Sequence, residues 1–169
     1  MNKLHEEKLK KIKMIVLDVD GVLTDGRVWI GDDGEKFKPF HTHDGYAIKR
    51  AIESGLRVVL LTGRSSGALE RRAGELGLKE LHQGVEDKMA AYRDLKETHG
   101  LHDDEVCCVG DDLPDLAIMG ACGLGVAVRN AVSEVLGVAD YVTSKEGGSG
   151  AVREIIEMIL RARGKWPSC

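Results

Sequence analysis

Met14-Ile-Val-Leu-Asp18-Val-Asp20-Gly-Val-Leu-Thr-Asp25-Gly26 is the stretch that decides the predicted fold. It begins with four apolar residues, a run typical of a strand that is buried on both faces of a sheet. The Asp and Gly residues behind this run end the strand and gather carboxylates at its carboxyl end, the edge at which open parallel sheets bind ligands. An isolated Asp-x-Asp is as often a plain acidic turn, so its meaning depends on what the rest of the chain brings to the same edge.

Apolar runs of strand length alternate with segments of helical spacing along the whole chain. This alternation predicts right-handed βαβ units and therefore an α/β fold built on a doubly wound parallel sheet. The predicted strands cover residues 14–17, 56–61, 80–82, 105–109, 124–128 and 141–143. The predicted helices cover residues 4–11, 44–54, 66–76, 87–99, 114–119, 131–136 and 151–161.

Residues 27–40 interrupt this pattern with two short extended runs. The turn signal Asp33-Gly34 lies between them, so the segment predicts a small β-hairpin insertion. The hairpin carries Trp29, Phe37 and Phe40. A two-stranded ribbon cannot bury its own aromatic side chains, so the main domain or another subunit must cover them. Of the two, we favour a subunit interface.

The composition restricts the partners that we expect. A chain of 169 residues fits one domain, 1–169, and its formal net charge of -4 gives no electrostatic footprint for nucleic acid or for an anionic membrane. No apolar run approaches the length of a membrane span. We therefore expect small-molecule partners and a cytoplasmic location. The four cysteines, Cys107, Cys108, Cys122 and Cys169, lack metal-ligand spacing and are expected to be reduced structural thiols.

Polar signals recur at strand ends and helix starts on the expected binding edge. They are Asp18 and Asp20, Thr62, Lys88, and the segment Gly110-Asp-Asp-Leu-Pro-Asp115. Each alone is common, as a solvated residue or a helix cap. Their joint order and spacing resemble the phosphatases of the haloacid dehalogenase superfamily, whose signature has the form Asp-x-Asp, then Thr or Ser, then Lys, then an acidic Gly-Asp-Asp-x-x-Asp segment.

The resemblance implies a role for each of these residues. Asp18 would be the nucleophile and Asp20 the general acid and base, while Asp18, Asp111 and the backbone carbonyl of Asp20 would bind Mg²⁺. Thr62, Gly63 and Lys88 would hold the phosphoryl group, and Asp112 and Asp115 would orient the metal and Lys88. The chemistry agrees, because a doubly anionic phosphate needs cations and donors, and Mg²⁺ prefers carboxylate oxygens.

The spacing of the motifs leaves no room for a cap domain. The stretch from Asp20 to Thr62 is filled by the hairpin and one helix, and the stretch from Thr62 to Lys88 by a helix and a short strand. A site without a cap is open to water, which suits a macromolecular substrate or a site enclosed by neighbouring subunits. The aromatic hairpin favours enclosure by subunits.

Over nearly its full length the chain resembles the 3-deoxy-D-manno-octulosonate 8-phosphate phosphatases, which are tetrameric capless members of that superfamily. The matching stretches are 18–26, Phe40 with Asp44-Gly45, 62–64, Arg72-Ala73, Gln83-Gly84, Lys88, 110–115 and 147–154. The resemblance implies a sugar-acid phosphate substrate and a homotetramer. It also implies substrate contacts from Asp44, Arg64, Arg72 and Arg153. Guanidinium groups suit a planar carboxylate, and the less favoured alternative for each arginine is a surface salt bridge.

His41 and His43 stand where members of the family commonly carry other residues. Strand-like alternation would put both histidines on one face, where a zinc site or a substrate contact is conceivable, although a solvated or interface pair is the commoner outcome. The tail, residues 164–169, would cover a neighbouring active site, as tails do in the family.

Three alternatives to this function remain open from the sequence. A relative acting on a nine-carbon sialic-type acid 9-phosphate resembles this chain, but that group tends to carry Glu where Arg64 stands. A second alternative is a non-catalytic assembly module, but such a module would not need the complete set of Asp, Thr and Lys residues. A signalling receiver domain would carry its phosphorylated Asp on a middle strand, and not two residues before another Asp on the first.

Overall fold

The structure of the protein, a computed structural model, describes residues 3–32 and 34–167. The described residues form eight strands: β1 (Met14–Leu17), β2 (Trp29–Gly31), β3 (Gly34–Phe37), β4 (Arg57–Leu61), β5 (Glu80–His82), β6 (Val106–Gly110), β7 (Leu124–Ala127) and β8 (Tyr141–Val142). Six of them form one parallel sheet in the order β5-β4-β1-β6-β7-β8. The predicted parallel sheet is therefore confirmed, with the apolar run β1 fully buried near its centre.

Seven α-helices connect and flank the strands: α1 (Lys3–Lys11), α2 (Thr42–Glu53), α3 (Gly67–Leu76), α4 (Lys88–His99), α5 (Leu116–Ala121), α6 (Ser133–Val138) and α7 (Ala151–Ala162), all within the described ranges. Helices α1 and α2 pack against α7, whereas α5 packs against α4 and α6. The connections after β1 and after β6 run in opposite directions across the sheet, so right-handed crossovers place these two groups of helices on opposite faces.

The order of the strands reverses between β1 and β6. The chain proceeds from β1 through β4 to β5 on one side, and from β6 through β7 to β8 on the other. Such a reversal leaves a crevice at the carboxyl ends of the two strands, because their following loops lead away from each other. The segments that follow β1 and β6 are the two acidic ones, which begin at Asp18 and Asp111.

No cap domain interrupts the part of the chain that the structure describes. Between β1 and β4 lie the hairpin β2–β3 and α2, and between β4 and α4 lie α3 and β5, as the motif spacing predicted. In the hairpin, Trp29 pairs with Phe37 across the strands, and their side chains are 55% and 71% exposed. The turn residue Asp33 lies outside the described residues, so the predicted turn at Asp33-Gly34 stays a prediction.

Two expectations about the end of the hairpin are wrong. Phe40 is not an exposed hairpin aromatic, since it is partly buried against the core of the main body. His41 and His43 do not alternate on a strand, because α2 begins two residues earlier than expected. His41 is the N-cap of α2, and its Nδ1 accepts the His43 N–H at 3.2 Å, which satisfies a donor that the first helical turn would leave free.

Three cysteines confirm the predicted structural role, because Cys107, Cys108 and Cys122 are buried free thiols. Cys169 lies outside the described residues. Among the helices of the described ranges, none is long and apolar enough to cross a membrane.

Candidate active site

The loop after β1 carries Asp18 and Asp20 and is held by Thr24. The buried Thr24 hydroxyl accepts the N–H groups of Gly21 and Gly26 and itself donates to the Val19 carbonyl. This one side chain therefore closes the loop on itself and fixes the backbone between the two aspartates. Asp18 is buried at the base of the loop, as expected for a residue that directly follows a central strand.

Lys88 joins the loop after β1 to the loop after β6. It is the first residue of α4, where Asp87 caps the helix by accepting the Ala90 N–H, and its ammonium group is buried. Lys88 Nζ donates to Asp18 Oδ1 at 2.5 Å and to Asp115 Oδ1 at 2.7 Å. Burial disfavours the charge on Lys88, but the two carboxylates outweigh it and raise the pKa of the ammonium group.

The loop after β6 carries Asp111 towards Asp18. Asp115 Oδ2 accepts the N–H groups of Asp111 and Asp112, so the buried Asp115 shapes the loop while its other oxygen binds Lys88. The Asp112 side chain is exposed and accepts the Leu113 N–H, which caps the short helical turn Leu113–Asp115. Gly110 is required here because a Cβ at that position would lie 2.4 Å from the Asp115 Cβ.

The acidic groups repel one another in this confined space. Burial, opposed chiefly by Lys88, raises the pKa of Asp18 to about 6. Burial, together with the nearby Asp18, raises the pKa of Asp111 to about 7. The raised pKa values show that these two carboxylates have too little positive charge around them to stay fully ionised. A bound cation would supply that charge and lower both pKa values.

The arrangement fits a divalent metal such as Mg²⁺. Asp18, Asp111 and Asp115 each offer an oxygen, and these three atoms lie within 4.8 Å of one another. Asp111 packs directly on the loop after β1, since a Cβ at Gly21 would lie 2.0 Å from its Oδ2. The donor set consists of hard oxygens at the mouth of a cleft, which is what Mg²⁺ prefers over the nitrogen and sulfur ligands of zinc.

Nine predicted site residues line one cleft of about 480 Å³ at the carboxyl edge of the sheet. They are Asp18, Asp20, Thr62, Gly63, Arg64, Lys88, Asp111, Asp112 and Asp115. Thr62 follows β4 and is buried, and its hydroxyl accepts the Arg64 N–H at 3.3 Å. A larger cleft of about 610 Å³ lies at the opposite edge, around Arg57 and Glu80 at the starts of β4 and β5, and contains none of the predicted residues.

The other three predicted substrate contacts lie outside this cleft. Asp44 and Arg72 line a small separate cavity under Phe40, where Asp44 accepts the N–H groups of Gly150 and Arg153. Arg72 donates to Glu75. Burial raises the pKa of the Asp44 carboxyl group, opposed by those backbone donors. Within a single chain, Asp44 therefore holds the start of α7, and Arg72 forms an ion pair within α3.

Arg153 makes contacts away from the cleft as well. Its guanidinium group lies 4.6 Å from the ring centroid of Trp166 and 5.6 Å from that of Tyr46, and its Nε donates to Glu157. The described part of the tail thus packs against its own chain through Trp166. Substrate contacts from Arg153, Arg72 and Asp44 stay predictions, as does the role of the tail.

Sequence reasoning missed Lys38. This lysine follows β3, and its side chain is only 3% exposed because it reaches Asp20, which lines the cleft, and donates to its Oδ1 at 2.6 Å. The signal in the sequence was the position of Lys38 directly after Phe37. Side chains alternate along a strand, so Lys38 is expected on the face of the hairpin opposite to Phe37. The spacing of the motifs did not indicate that this face meets Asp20.

The fold and this cleft define a haloacid dehalogenase-like hydrolase, and residues 80–156 match the family of that description. The chain is 43% identical over 158 residues to the 3-deoxy-D-manno-octulosonate 8-phosphate phosphatase KdsC of Escherichia coli K12, covering 94% of this chain and 84% of the relative. The crystal structure of the phosphatase of the same name from Yersinia pestis has 42% identity and a TM-score of 0.92, covering 95% and 86% of the two chains.

A third relative is the enzyme of that name from Moraxella catarrhalis, solved with a magnesium ion, a phosphate ion and a KDO molecule. It is 39% identical, with a TM-score of 0.92 over 96% of this chain and 93% of the other. The chain therefore belongs to the 3-deoxy-D-manno-octulosonate 8-phosphate phosphatase family of haloacid dehalogenase-like hydrolases.

Proposed function

We propose that the protein is a Mg²⁺-dependent phosphoric monoester hydrolase that converts 3-deoxy-D-manno-octulosonate 8-phosphate to the free sugar acid and phosphate. One observation carries this proposal: Lys88 Nζ lies between Asp18 and Asp115, with Asp111 beside them, in a cleft that Thr62 also lines. That set supplies a nucleophile, a fixed cation and metal ligands around one point. The same enzyme name is carried by the relatives described above.

In the first step, a carboxylate oxygen of Asp18 attacks phosphorus. The bond between phosphorus and the ester oxygen breaks, and Asp20 gives its proton to the departing sugar oxygen. Lys88 stays positively charged beside Asp18, because Asp18 and Asp115 raise its pKa, and it offsets negative charge on the transferring group. Thr62 and the backbone of Gly63, which line the cleft at the end of β4, would hold the phosphoryl oxygens.

In the second step, water attacks the phosphorus of the aspartyl-phosphate. Asp20, now ionised, takes the proton of that water, and the Asp18 carboxylate and inorganic phosphate are released. Asp18, Asp111 and the Asp20 backbone carbonyl would hold Mg²⁺, oriented by Asp112 and Asp115. When bound, the cation offsets the charge of the phosphate and of the carboxylates, so that two anions can approach each other.

We further propose that residues 1–169 act as one phosphatase domain in a cytoplasmic homotetramer. The exposed hairpin aromatics Trp29 and Phe37 support an assembly, because together with Val28 and Ile30 they leave several large apolar side chains of the hairpin exposed to solvent. Neighbouring subunits would then enclose the sugar acid and bring Arg72, Arg153 or the tail to it. Arg64 lines the cleft in its own chain and would bind the substrate carboxylate.

The direct test is release of phosphate from a panel of sugar and sugar-acid phosphates in the presence of Mg²⁺. We expect the highest kcat/KM for the eight-carbon acid 8-phosphate and loss of turnover in a folded Asp18→Asn variant. Preference for a nine-carbon acid 9-phosphate would overturn the substrate, and substantial turnover by Asp18→Asn would overturn the mechanism. Failure to hydrolyse any ester in the panel would favour an assembly module.

A further inference from the structure

Lys38 connects the hairpin to the proposed acid and base, Asp20. Its Nζ donates to Asp20 Oδ1 at 2.6 Å, and its side chain is 3% exposed, although it belongs to a surface insertion. A lysine this well buried is costly unless its charge is paired, so the contact is a built feature of the cleft and not a chance surface ion pair.

The backbone around Lys38 holds the side chain in place. Pro39 restricts the preceding residue to extended conformations, and the partly buried Phe40 anchors the segment to the core. Lys38 therefore lies on a conformationally restricted backbone segment at the base of the hairpin, directly after the end of β3 at Phe37.

The two oxygens of Asp20 have different surroundings. Oδ1 accepts the hydrogen bond from Lys38, whereas Oδ2 is buried and accepts no hydrogen bond from any residue in the described ranges. Arg64 Nε lies 3.9 Å from Oδ2, which is beyond hydrogen-bond reach. A proton on Asp20 that is transferred to a leaving group would therefore be carried by Oδ2.

We infer that Lys38 is a positioning residue that fixes the rotation of the Asp20 carboxyl group, so that Oδ2 faces the leaving oxygen of the substrate. The inference rests on the proposed phosphatase function. It gives the hairpin a role in proton transfer that does not depend on which substrate is bound. Without Lys38 the carboxyl group can rotate, and proton transfer to the leaving group loses its alignment.

The test compares two aryl esters of nearly equal size, phenyl phosphate and 4-nitrophenyl phosphate. Phenolate needs a proton to leave readily, whereas 4-nitrophenolate does not, and kcat/KM reports the step in which the leaving group departs. We expect Lys38→Met to lower kcat/KM for phenyl phosphate about tenfold or more, and for 4-nitrophenyl phosphate less than about threefold. Lys38→Arg, which keeps the charge and a donor, should retain more of the phenyl phosphate activity.

Equal losses on the two esters would overturn the inference, since they would mean that Lys38 binds the phosphate or maintains the fold. No loss on either ester would overturn it as well. Lys49→Met, which removes an exposed lysine of α2, is the matched control and should leave the ratio of the two rates unchanged. If Lys38→Met does not fold, Lys38→Gln provides the same comparison with a neutral side chain.

The same assays separate this inference from the proposed function. A wild-type protein that hydrolyses both aryl esters but not the eight-carbon acid phosphate would reject the substrate and leave the comparison for Lys38 intact. A wild-type protein that hydrolyses the sugar-acid phosphate, with equal losses for Lys38→Met on the aryl esters, would reject only the role of Lys38. A wild-type protein that hydrolyses none of the three esters would overturn both.

Discussion

Gly147 lies so close to Gly21 that a methyl group at position 147 would come within 1.6 Å of the Gly21 carbonyl oxygen. The two glycines belong to segments far apart in sequence, the loop before α7 and the loop that carries Asp18 and Asp20. The adjacent Gly148 N–H donates to the Val22 carbonyl at 2.9 Å, and the Gly147 N–H donates to Asn130 Oδ1. The glycine loop is therefore a backbone support for the catalytic loop.

Replacement of Gly147 by alanine should damage both stability and activity. Backbone must move to relieve the clash, so we expect Gly147→Ala to lower the free energy of unfolding by about 2 kcal/mol or more. The displaced loop carries Asp18, the proposed nucleophile, so kcat should fall as well. Urea denaturation and phosphate release measure the two effects.

Gly74→Ala is the matched control for that variant. Gly74 lies inside α3 with open space around its Cα, so alanine should raise the free energy of unfolding by up to about 1 kcal/mol and leave kcat unchanged. A Gly147→Ala protein as stable and active as Gly74→Ala would show that the loop after β1 does not depend on this contact.

Much of this architecture could be predicted from the sequence because its signals are local. The apolar run 14–17, and Gly55 and Gly77 after α2 and α3, indicate the order of the first elements, and the strand-end residues Asp18, Thr62 and Asp111 follow from the rule that parallel strands end at one edge. The hairpin contacts could not be predicted in this way. Lys38 reaches Asp20 and Phe40 reaches the core only through the path of the insertion, which no periodicity encodes.

Lys88 should be a stabilising residue as well as a functional one. Its removal leaves Asp18 and Asp115 buried with their shared partner gone, so Lys88→Met should lower the free energy of unfolding by about 3 kcal/mol at pH 8. Added Mg²⁺ should recover part of this loss, because a bound cation replaces some of the missing charge. Denaturation with and without Mg²⁺ measures both effects.

Lys8→Met is the control for the loss of a lysine ion pair. Lys8 pairs with Asp140 at 2.8 Å near the surface, and removal of such a pair should cost less than about 1 kcal/mol. Equal destabilisation by Lys88→Met and Lys8→Met would contradict the view that Lys88 neutralises a buried acidic cluster.

Mg²⁺ binding should weaken as the pH falls below 7. The pKa of Asp111 is raised to about 7, so at pH 6 most of the metal-free protein carries a proton on this proposed metal ligand. We expect affinity at pH 6 to be about tenfold lower than at pH 8. Titration calorimetry at the two pH values measures the difference, and an Asp111→Asn variant should bind weakly and with a smaller dependence on pH.

The raised pKa of Asp111 also determines how the stability of the metal-free protein changes with pH. Because the folded pKa of Asp111 exceeds its unfolded value of about 3.9, its contribution to stability is complete below pH 4 and is lost as the pH rises through about 7. Mg²⁺ should therefore raise the melting temperature more at pH 8 than at pH 6. A larger rise at pH 6 would contradict Asp111 as a ligand.

The exposed pair Trp29 and Phe37 should control assembly. The two side chains face each other across the hairpin, so Trp29→Ser with Phe37→Ser removes one continuous apolar surface and should convert the proposed tetramer to smaller species in analytical ultracentrifugation. Val138→Ser, a change at a half-exposed apolar residue of α6, is the control and should leave the assembly intact.

Dissociation of the proposed assembly should lower kcat/KM more for the sugar-acid phosphate than for a small aryl phosphate. The residues proposed for the chemistry, Asp18, Lys88 and Asp111, all come from one chain, so the chemistry itself should not need a second subunit. Enclosure of the sugar acid does need one in the proposed assembly, because the cleft within a single chain is open and Arg72 and Arg153 lie outside it. The double variant should therefore lose about tenfold or more in kcat/KM for the sugar-acid phosphate and much less for phenyl phosphate, which has no remote groups to bind. Equal losses on both substrates would mean that the hairpin acts on the catalytic groups alone, through Lys38 and Asp20, and that specificity resides within one chain.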